Sequence, residues 1–155
     1  NIKASGSITV DQVSSTTNLF TKTANTDHSA QGDIVKFGTA TTTTQGDLYY
    51  FNASGGWTQA SADATASSGG VLLAIALGTA SATNGMLLRG IYTMDAAAID
   101  GTEVTGDELY VGVTAGHVTN TAPGSGDIVR VVGYCLDGTN GQIWFNPSND
   151  FILVA

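Results

Sequence analysis

The chain has 155 residues, a formal net charge of −8 and a charged fraction of only 12%. This length fits one domain that can bury a core of its own. Binding to a nucleic-acid backbone requires clustered Lys and Arg, and the chain has five such residues spread along its length, so we expect no nucleic-acid partner. Since no apolar run approaches the ~20 residues of a membrane helix, we also expect no membrane insertion.

Residues 1–31 differ in composition from the rest of the chain. They are rich in Ser, Thr and Asn, and their apolar residues are scattered. We therefore divide the chain into an N-terminal arm, 1–31, and a β domain, 32–155. The arm is expected to hold one or two edge strands or to pack on a neighbouring subunit. The chain does not begin with Met, so we interpret Asn1 as the start of a processed or trimmed product and expect no signal peptide.

Short apolar runs, many of them alternating, follow one another from residue 32 onwards. Turn residues bound almost every run, and the Ala-rich DAAAID at 95–100 is the one segment with helical character. The runs are DIVKF, DLYYF, VLLAIAL, MLLRGIYTM, ELYVGV, DIVRVVGYCL, QIWF and FILV. This pattern predicts an all-β fold, a compact antiparallel β-barrel or sandwich of short strands and hairpins, with no helix longer than about two turns.

Two Asn-Gly pairs separate neighbouring apolar runs. Asn84-Gly85 lies between VLLAIAL and MLLRGIYTM, and Asn140-Gly141 lies between VVGYCL and QIWF. Asn-Gly readily adopts the positive φ angles of a type I′ hairpin turn, so we predict that each pair of runs forms antiparallel neighbours. The segment AGHV, 115–118, indicates a further tight reversal after ELYVGV.

A Gly-Asp pair precedes an apolar run at four places in the chain. Glycine tolerates the left-handed backbone of a turn, and an Asp carboxylate can accept a hydrogen bond from the backbone two residues ahead, which closes an Asx-turn. We therefore predict that these aspartates cap turns and bind no metal. A metal-binding or general-acid role would require several of them to converge. The four are Asp33, Asp47, Asp107 and Asp127.

The densest carboxylate cluster lies in DAAAIDGTEVTGDE. It lacks the alternating ligands of an EF-hand loop, so we interpret it as a solvated acidic loop. A non-standard calcium site remains an alternative, and so does a carboxylate pair for glycoside hydrolysis. The residues concerned are Asp95, Asp100, Glu103, Asp107 and Glu108.

The remaining residues with reactive or aromatic side chains give weaker signals. Cys135 is the single cysteine, and its apolar surroundings predict a buried, inert thiol. His28 and His117 lie far apart in sequence, which does not match any zinc-binding spacing. Trp57, in NASGGWTQ, is either a platform for sugar stacking or a residue that closes one end of the barrel or packs at a subunit contact. We predict no catalytic residue, no bound metal and no cofactor.

The run VLLAIAL is apolar at successive positions, and a strand presents successive side chains to opposite faces. One face can enter the core, and we expect the other to meet a second layer or a neighbouring chain. Arg89 lies in the partner strand, where we expect a carboxylate to pair with it. These features predict a homo-oligomer, most simply a trimer, with part of this hairpin at the subunit contact.

From Gly46 to Val154 the sequence resembles a β-rich module of tailed-phage virion proteins, of the tail-fibre distal-domain or capsid cement (head decoration) type. The resemblance is carried by GDLYYFNASGGW, by LLAIALGTASATNGMLLRGIYTMD and by the run from Gly106 to Phe151. The shared order is a Gly-Asp strand, a loop, a hydrophobic hairpin with Arg-Gly, a second Gly-Asp strand, a Thr-Ala-Gly turn and a closing hairpin. Residues 1–31 do not match this pattern.

The resemblance implies a non-enzymatic structural protein displayed on the virion surface as a trimer. Its partners would be other copies of the chain and other virion proteins, and it would stabilise the particle or display a host-contact surface. The alternative function is a glycan-binding receptor-recognition module whose partner is a host-surface glycan. A hydrolase that uses the acidic cluster is a third hypothesis.

Overall fold

A computed structural model of the chain describes Phe20 and residues 25–155, so most of the predicted arm lies outside the described residues. The described part is mostly β, which confirms the predicted fold class. Its helices are α1 Thr65–Ser68, α2 Ser81–Asn84 and a 3-10 helix Ala96–Ala98, all shorter than two turns as predicted. In this part of the chain, none of the helices is long and apolar enough to cross a membrane.

Twelve short strands make up the rest of the regular structure in the described residues. They are β1 Ala30–Val35, β2 Leu48–Phe51, β3 Trp57–Gln59, β4 Leu73–Ala76, β5 Met86–Thr93, β6 Ile99–Asp100, β7 Glu108–Val111, β8 Val118–Thr119, β9 Ile128–Val129, β10 Val131–Asp137, β11 Gln142–Phe145 and β12 Ile152–Leu153. Strand β1 spans the boundary that we placed after residue 31.

Ten of the strands form one curled sheet, and β5 is its central strand. The order is β3-β2-β4-β5-β11-β10-β7-β8-β6, with β1 on the other edge of β5. Strand β4 pairs with the first residues of β5 and β11 with the last, so both share one edge of this long strand. All pairs are antiparallel except β6 with β8. Strands β9 and β12 form a separate two-stranded ribbon.

Backbone hydrogen bonds between distant segments draw the two ends of the sheet together. The N–H of Leu48 donates to the carbonyl of Gly116 at 2.7 Å, and the N–H of Gly116 donates to Ala60 at 2.8 Å. The N–H of Ala62 donates to Gly112, which precedes the same turn. The curled sheet thereby encloses the main core, whose largest buried members are Leu48, Leu73, Ile75, Leu87, Tyr92, Met94, Leu109, Ile143 and Phe145.

A second, smaller cluster lies on the opposite face of β4. Ala74 and Ala76 point into it, together with the buried side chains of Tyr49, Trp57 and Met86. Both faces of β4 are therefore covered within one chain. The expectation that part of this hairpin lies at a subunit contact loses its basis, because the second layer comes from the chain itself. The trimer stays a prediction.

The strand pairings inferred from the Asn-Gly pairs are confirmed, whereas the predicted turn type is wrong. Strand β4 pairs with β5 and β10 pairs with β11, both antiparallel. The first connection, 77–85, contains α2, and Asn84 ends that helix with its side-chain oxygen accepting from the N–H of Ala80. In the second, Gly141 has a positive φ of 63° but Asn140 does not. A type I′ turn requires both.

The reversal predicted at 115–118 is confirmed. The N–H of His117 donates to the carbonyl of Thr114 at 3.1 Å, and β7 and β8 on either side pair antiparallel. Gly116 has a φ of 86° at the third position of this turn. The reversal matters for the fold because its backbone forms the hydrogen bonds that close the curled sheet.

Candidate functional site

Three of the four Gly-Asp pairs occupy the same kind of turn. Gly46, Gly106 and Gly126 have φ angles of 92°, 99° and 89°. In each case the N–H of the following Asp donates to the carbonyl three residues earlier, at 3.3, 2.9 and 3.1 Å respectively. A positive φ at the third residue is the mark of a type II turn and favours glycine there. The predicted turn role of these pairs is therefore confirmed.

The side chains of these aspartates do not form the predicted Asx-turn. Asp107 reaches backwards, accepting from the N–H of Val104 at 2.9 Å and from Nδ2 of Asn120 at 3.0 Å. Asp47 accepts from Nε2 of Gln59, in β3, at 2.6 Å. These contacts tie the turns to the neighbouring segments rather than to the strand that follows.

The environments of Asp47 and Asp107 shift their pKa values in opposite directions. Asp47 is buried, and burial raises the pKa of its carboxyl against the lowering influence of Gln59 and of the charge on His117. Hydrogen bonds from Asn120 and Val104 lower the pKa of Asp107, which is more accessible than Asp47. Two residues with the same sequence signal thus have different electrostatic roles.

The predicted turn role is wrong for the fourth pair, Gly32-Asp33, because it lies inside β1 and pairs with β5. Oδ2 of Asp33 forms an ion pair with Nη2 of Arg89 in β5 at 3.1 Å. The expected carboxylate partner of Arg89 is therefore present. The pair lies at the surface rather than in the interior, since the two side chains are 50% and 43% exposed.

The acidic cluster at 95–108 does not come together as one site. Asp100 lies 2.9 Å from Nδ1 of His117, and Glu108 accepts from the hydroxyl of Tyr110 at 2.9 Å. Asp95 and Glu103 line a separate cleft of about 260 Å³. In the described part of the chain, no group of three or more His, Cys, Asp or Glu side chains is placed to hold a metal ion. The geometry gives the calcium alternative no support.

The contact between His117 and Asp100 is the closest approach to a catalytic pair. Partial burial raises the pKa of Asp100, but hydrogen bonds from His117 and Thr114 outweigh this, and the pKa is lowered overall. The other histidine, His28, contacts the hydroxyl of Tyr92 at 3.0 Å through Nδ1. Each histidine therefore has a structural partner on a different segment.

Cys135 and Trp57 are both buried. Cys135 is buried as expected, and burial raises the pKa of its thiol. Trp57 is 2% exposed, packs against Phe37 and Phe51, and donates from Nε1 to the carbonyl of Phe37 at 3.2 Å. Its use as a platform for sugar stacking is therefore wrong, and it covers the second small core instead.

Arg130 is the functional candidate that we did not single out from the sequence. It follows β9 and is 3% exposed. Its Nε donates to the carbonyl of Ser148 at 2.7 Å, and its Nη1 donates to Ser68 at 2.7 Å and to Val71 at 2.8 Å. Burial lowers the pKa of this guanidinium. An arginine inside the apolar run DIVRVV was the available signal, because a buried charge requires dedicated partners.

Arg130 lies at a cleft of about 540 Å³, which we call the arginine cleft. Arg89 and Asp33 lie on its wall as well, and the remaining lining is a mixture of amide and apolar side chains. The lining residues are Asp33, Val71, Leu72, Leu73, Leu88, Arg89, Arg130, Asn146, Pro147 and Asn149. The ion pair and the buried guanidinium thus share one solvent-accessible space.

A second notable surface is the apolar strip on β12, which includes Phe151 directly before the strand. Phe151, Ile152 and Leu153 are 40%, 67% and 59% exposed, although they are consecutive large apolar residues. Within the described residues, β12 has a strand partner, β9, on one side only. In comparisons with protein-family models, curated proteins and solved structures, nothing matched this chain.

Proposed function

We propose that this chain is a non-enzymatic structural protein on the surface of a tailed-phage virion, where it stabilises the particle or displays a host-contact surface. The resemblance described above supplies this hypothesis. The apolar strip on β12 is the observation that supports it, because three adjacent large apolar side chains at a strand edge favour contact with another chain.

A second copy of the chain can occupy the strip in spite of the chain's acidic charge. The whole chain carries a formal charge of −8, so two copies repel each other wherever their acidic surfaces meet. Residues 151–155 carry no charged side chain, and contact through this segment avoids the repulsion. We therefore retain the homo-oligomer, most simply a trimer, and place its contact at β12 rather than at the β4–β5 pair.

The internal contacts of the carboxylates also favour a structural role. Asp33 pairs with Arg89, Asp47 with Gln59, Asp100 with His117 and Asp107 with Asn120. Each bond joins two separate segments of the fold. Side chains used in this way stabilise loops and strand ends, which suits a protein displayed on the outside of a particle.

Glycan binding is the second candidate function, and the arginine cleft is the observation that favours it. With Trp57 buried, a sugar cannot stack on that ring. The cleft offers guanidinium, amide and apolar surface in one space, which is a suitable lining for a small polar ligand.

The mass of the native assembly tests the proposed contact. We expect a trimer for the natural sequence and a monomer for Leu153→Asp, with an unchanged far-ultraviolet circular dichroism spectrum. Val113→Asp is the matched control, because Val113 is 51% exposed but lies outside the strip. A natural chain that is monomeric at micromolar concentration would contradict the proposal.

The location on the particle requires its own experiment. An antibody raised against the folded chain should label the surface of intact particles of the tailed phage that encodes it. Disrupted particles serve as the control for internal proteins. Absence of the chain from both preparations, as judged by peptide mass spectrometry, would rule out a virion protein.

A further inference from the structure

Two guanidinium groups in the arginine cleft have donors that the protein does not use. Arg130 donates from Nε and Nη1 to three backbone carbonyls, but its Nη2 makes no hydrogen bond to any described residue. Arg89 is bound by Asp33 through Nη2, and its Nε is buried without a hydrogen-bond partner. A buried donor without a partner costs free energy, so an acceptor placed in the cleft would be stabilised.

The charges around the cleft leave one positive charge in excess. Asp33 balances Arg89, whereas Arg130 has no carboxylate partner among the described residues. Backbone carbonyls solvate its guanidinium without neutralising it. A monoanion bound in the cleft would neutralise this excess positive charge, even though the chain as a whole is acidic.

The rest of the lining indicates what the body of the anion should be. Asn146 and Asn149 are exposed, and their amide groups can exchange hydrogen bonds with hydroxyl groups. Leu72, Leu88 and Pro147 supply apolar surface beside them. A cleft of about 540 Å³ is large enough for a saccharide ring.

We propose that the arginine cleft binds an acidic sugar, with the carboxylate at the guanidinium groups of Arg89 and Arg130 and the hydroxyl groups toward the two asparagines. A carboxylate is favoured over a phosphate monoester because the excess is a single positive charge, which a carboxylate balances and a phosphate monoester, with a charge of about −2 at neutral pH, exceeds. This inference concerns a ligand site and does not depend on the proposed assembly at β12.

Nuclear magnetic resonance of the ¹⁵N-labelled full chain tests the proposal with glucuronate as the probe. We expect saturable shifts of the Arg89 and Arg130 Nε–H signals, with a dissociation constant on the order of 1 mM for a ligand of this size. The neutral methyl ester of glucuronate and glucose are the controls, and neither should produce these shifts. Shifts of equal size with the ester would overturn the role of the carboxylate.

Two substitutions at the ion pair should change the affinity in opposite directions. Asp33→Asn removes the competing carboxylate and should strengthen glucuronate binding about threefold, whereas Arg89→Gln removes a donor and should weaken it about fivefold or more. Both residues are half exposed, so the fold should tolerate either change. If neither substitution changes the affinity for glucuronate, the sugar binds elsewhere and the proposed site is wrong.

Two further outcomes would also contradict the inference. The first is an absence of shifts in the Arg89 and Arg130 Nε–H signals when glucuronate is added to about tenfold above the expected dissociation constant. This result would show that the cleft is purely structural. The second is binding of inorganic phosphate or acetate as tight as that of glucuronate. In that case the asparagines and the apolar wall would contribute nothing to the affinity, and the assignment of an acidic sugar would be wrong.

Discussion

The apolar runs VLLAIAL and FILV look alike in sequence but lie in opposite environments. Strand β4, from the first run, lies inside the sheet between β2 and β5. Strand β12, from the second, pairs with β9 in a small ribbon, and its side chains are exposed. Hydrophobicity alone therefore indicates that a surface will be covered, but not whether the same chain covers it.

Side-chain size distinguishes the two runs better than hydropathy does. In β4 the large Leu73 and Ile75 alternate with Ala74 and Ala76, and the alanines allow a second layer to approach closely. The run at β12 has large side chains at every position, so neither of its faces is shaped for close packing by the same chain. Alternating large and small residues are thus a sign of internal packing.

The sharpest test of this difference is truncation of one leucine in each region. Leu87 in β5 is fully buried against β4, so Leu87→Ala should lower the free energy of unfolding by about 4 kcal/mol. Leu153→Ala, the matched control in β12, should cost less than about 1 kcal/mol in the isolated monomer. Urea denaturation of both variants measures the two values.

Equal losses of unfolding free energy for Leu87→Ala and Leu153→Ala would contradict the difference between β4 and β12. If Leu153→Ala destabilised the chain as much as Leu87→Ala at high dilution, β12 would belong to the core of the monomer. If the loss at Leu153 instead appeared only at concentrations where the chain associates, it would support the proposed contact, because oligomer stability depends on protomer concentration.

Arg130 connects the two regions, and its removal should have the second largest effect. It follows β9, and it donates to Ser68 and Val71, just before β4. Arg130→Gln leaves buried carbonyls without donors and should cost about 3 kcal/mol. Arg89→Gln should cost less than about 1 kcal/mol, since its ion pair is exposed to solvent. Similar losses in thermal or urea unfolding would show that Arg130 is not the anchor that its contacts indicate.

Much of the fold was accessible from local sequence. Alternating apolar runs and turn residues predicted the all-β class, and the Asn-Gly pairs predicted which strands pair. The form of the first connection was not accessible, because α2 depends on the bond between Asn84 and Ala80 and on contacts with 41–43. Turn type depends on tertiary contacts as well as on the two central residues.

The candidate site was much less accessible. The arginine cleft is built from segments around residues 33, 72, 89, 130 and 148, and no local pattern shows that these segments meet. Sequence reasoning selected carboxylates and Trp57 because such residues often carry chemistry. It passed over Arg130, whose importance follows from burial and from the carbonyls that surround it.

A glycine substitution before β9 should have a moderate effect. Gly126 has a φ of 89° with open space around it, so Gly126→Ala introduces backbone strain and no steric clash, at a cost of about 1 kcal/mol. Gly124→Ala is the control in the same turn, where space is open and the backbone is not left-handed. It should be neutral or slightly stabilising. Unfolding curves that do not distinguish the two variants would refute the type II turn.

The smallest expected effect is a difference between the turns at Asp47 and Asp107 in how protein stability depends on pH. The pKa of Asp107 is lowered from 3.8 in the fold, so its ionised form stabilises the protein above that pH, and this stability is lost as the pH falls through the folded pKa. The pKa of Asp47 is raised from 3.8, so its ionised form destabilises the fold, and this cost disappears as the pH falls from the folded pKa toward 3.8.

Replacement by asparagine keeps an oxygen acceptor at both positions and removes the charge. At neutral pH we expect Asp107→Asn to be slightly less stable than the natural chain, and the difference should vanish below the folded pKa of Asp107. We expect Asp47→Asn to be as stable or more stable at neutral pH, with the advantage declining as the pH falls toward 3.8. Urea unfolding across this pH range measures both. Differences of the same sign would mean that the two turns share one electrostatic environment, contrary to the burial of Asp47 and the exposed hydrogen bonds of Asp107.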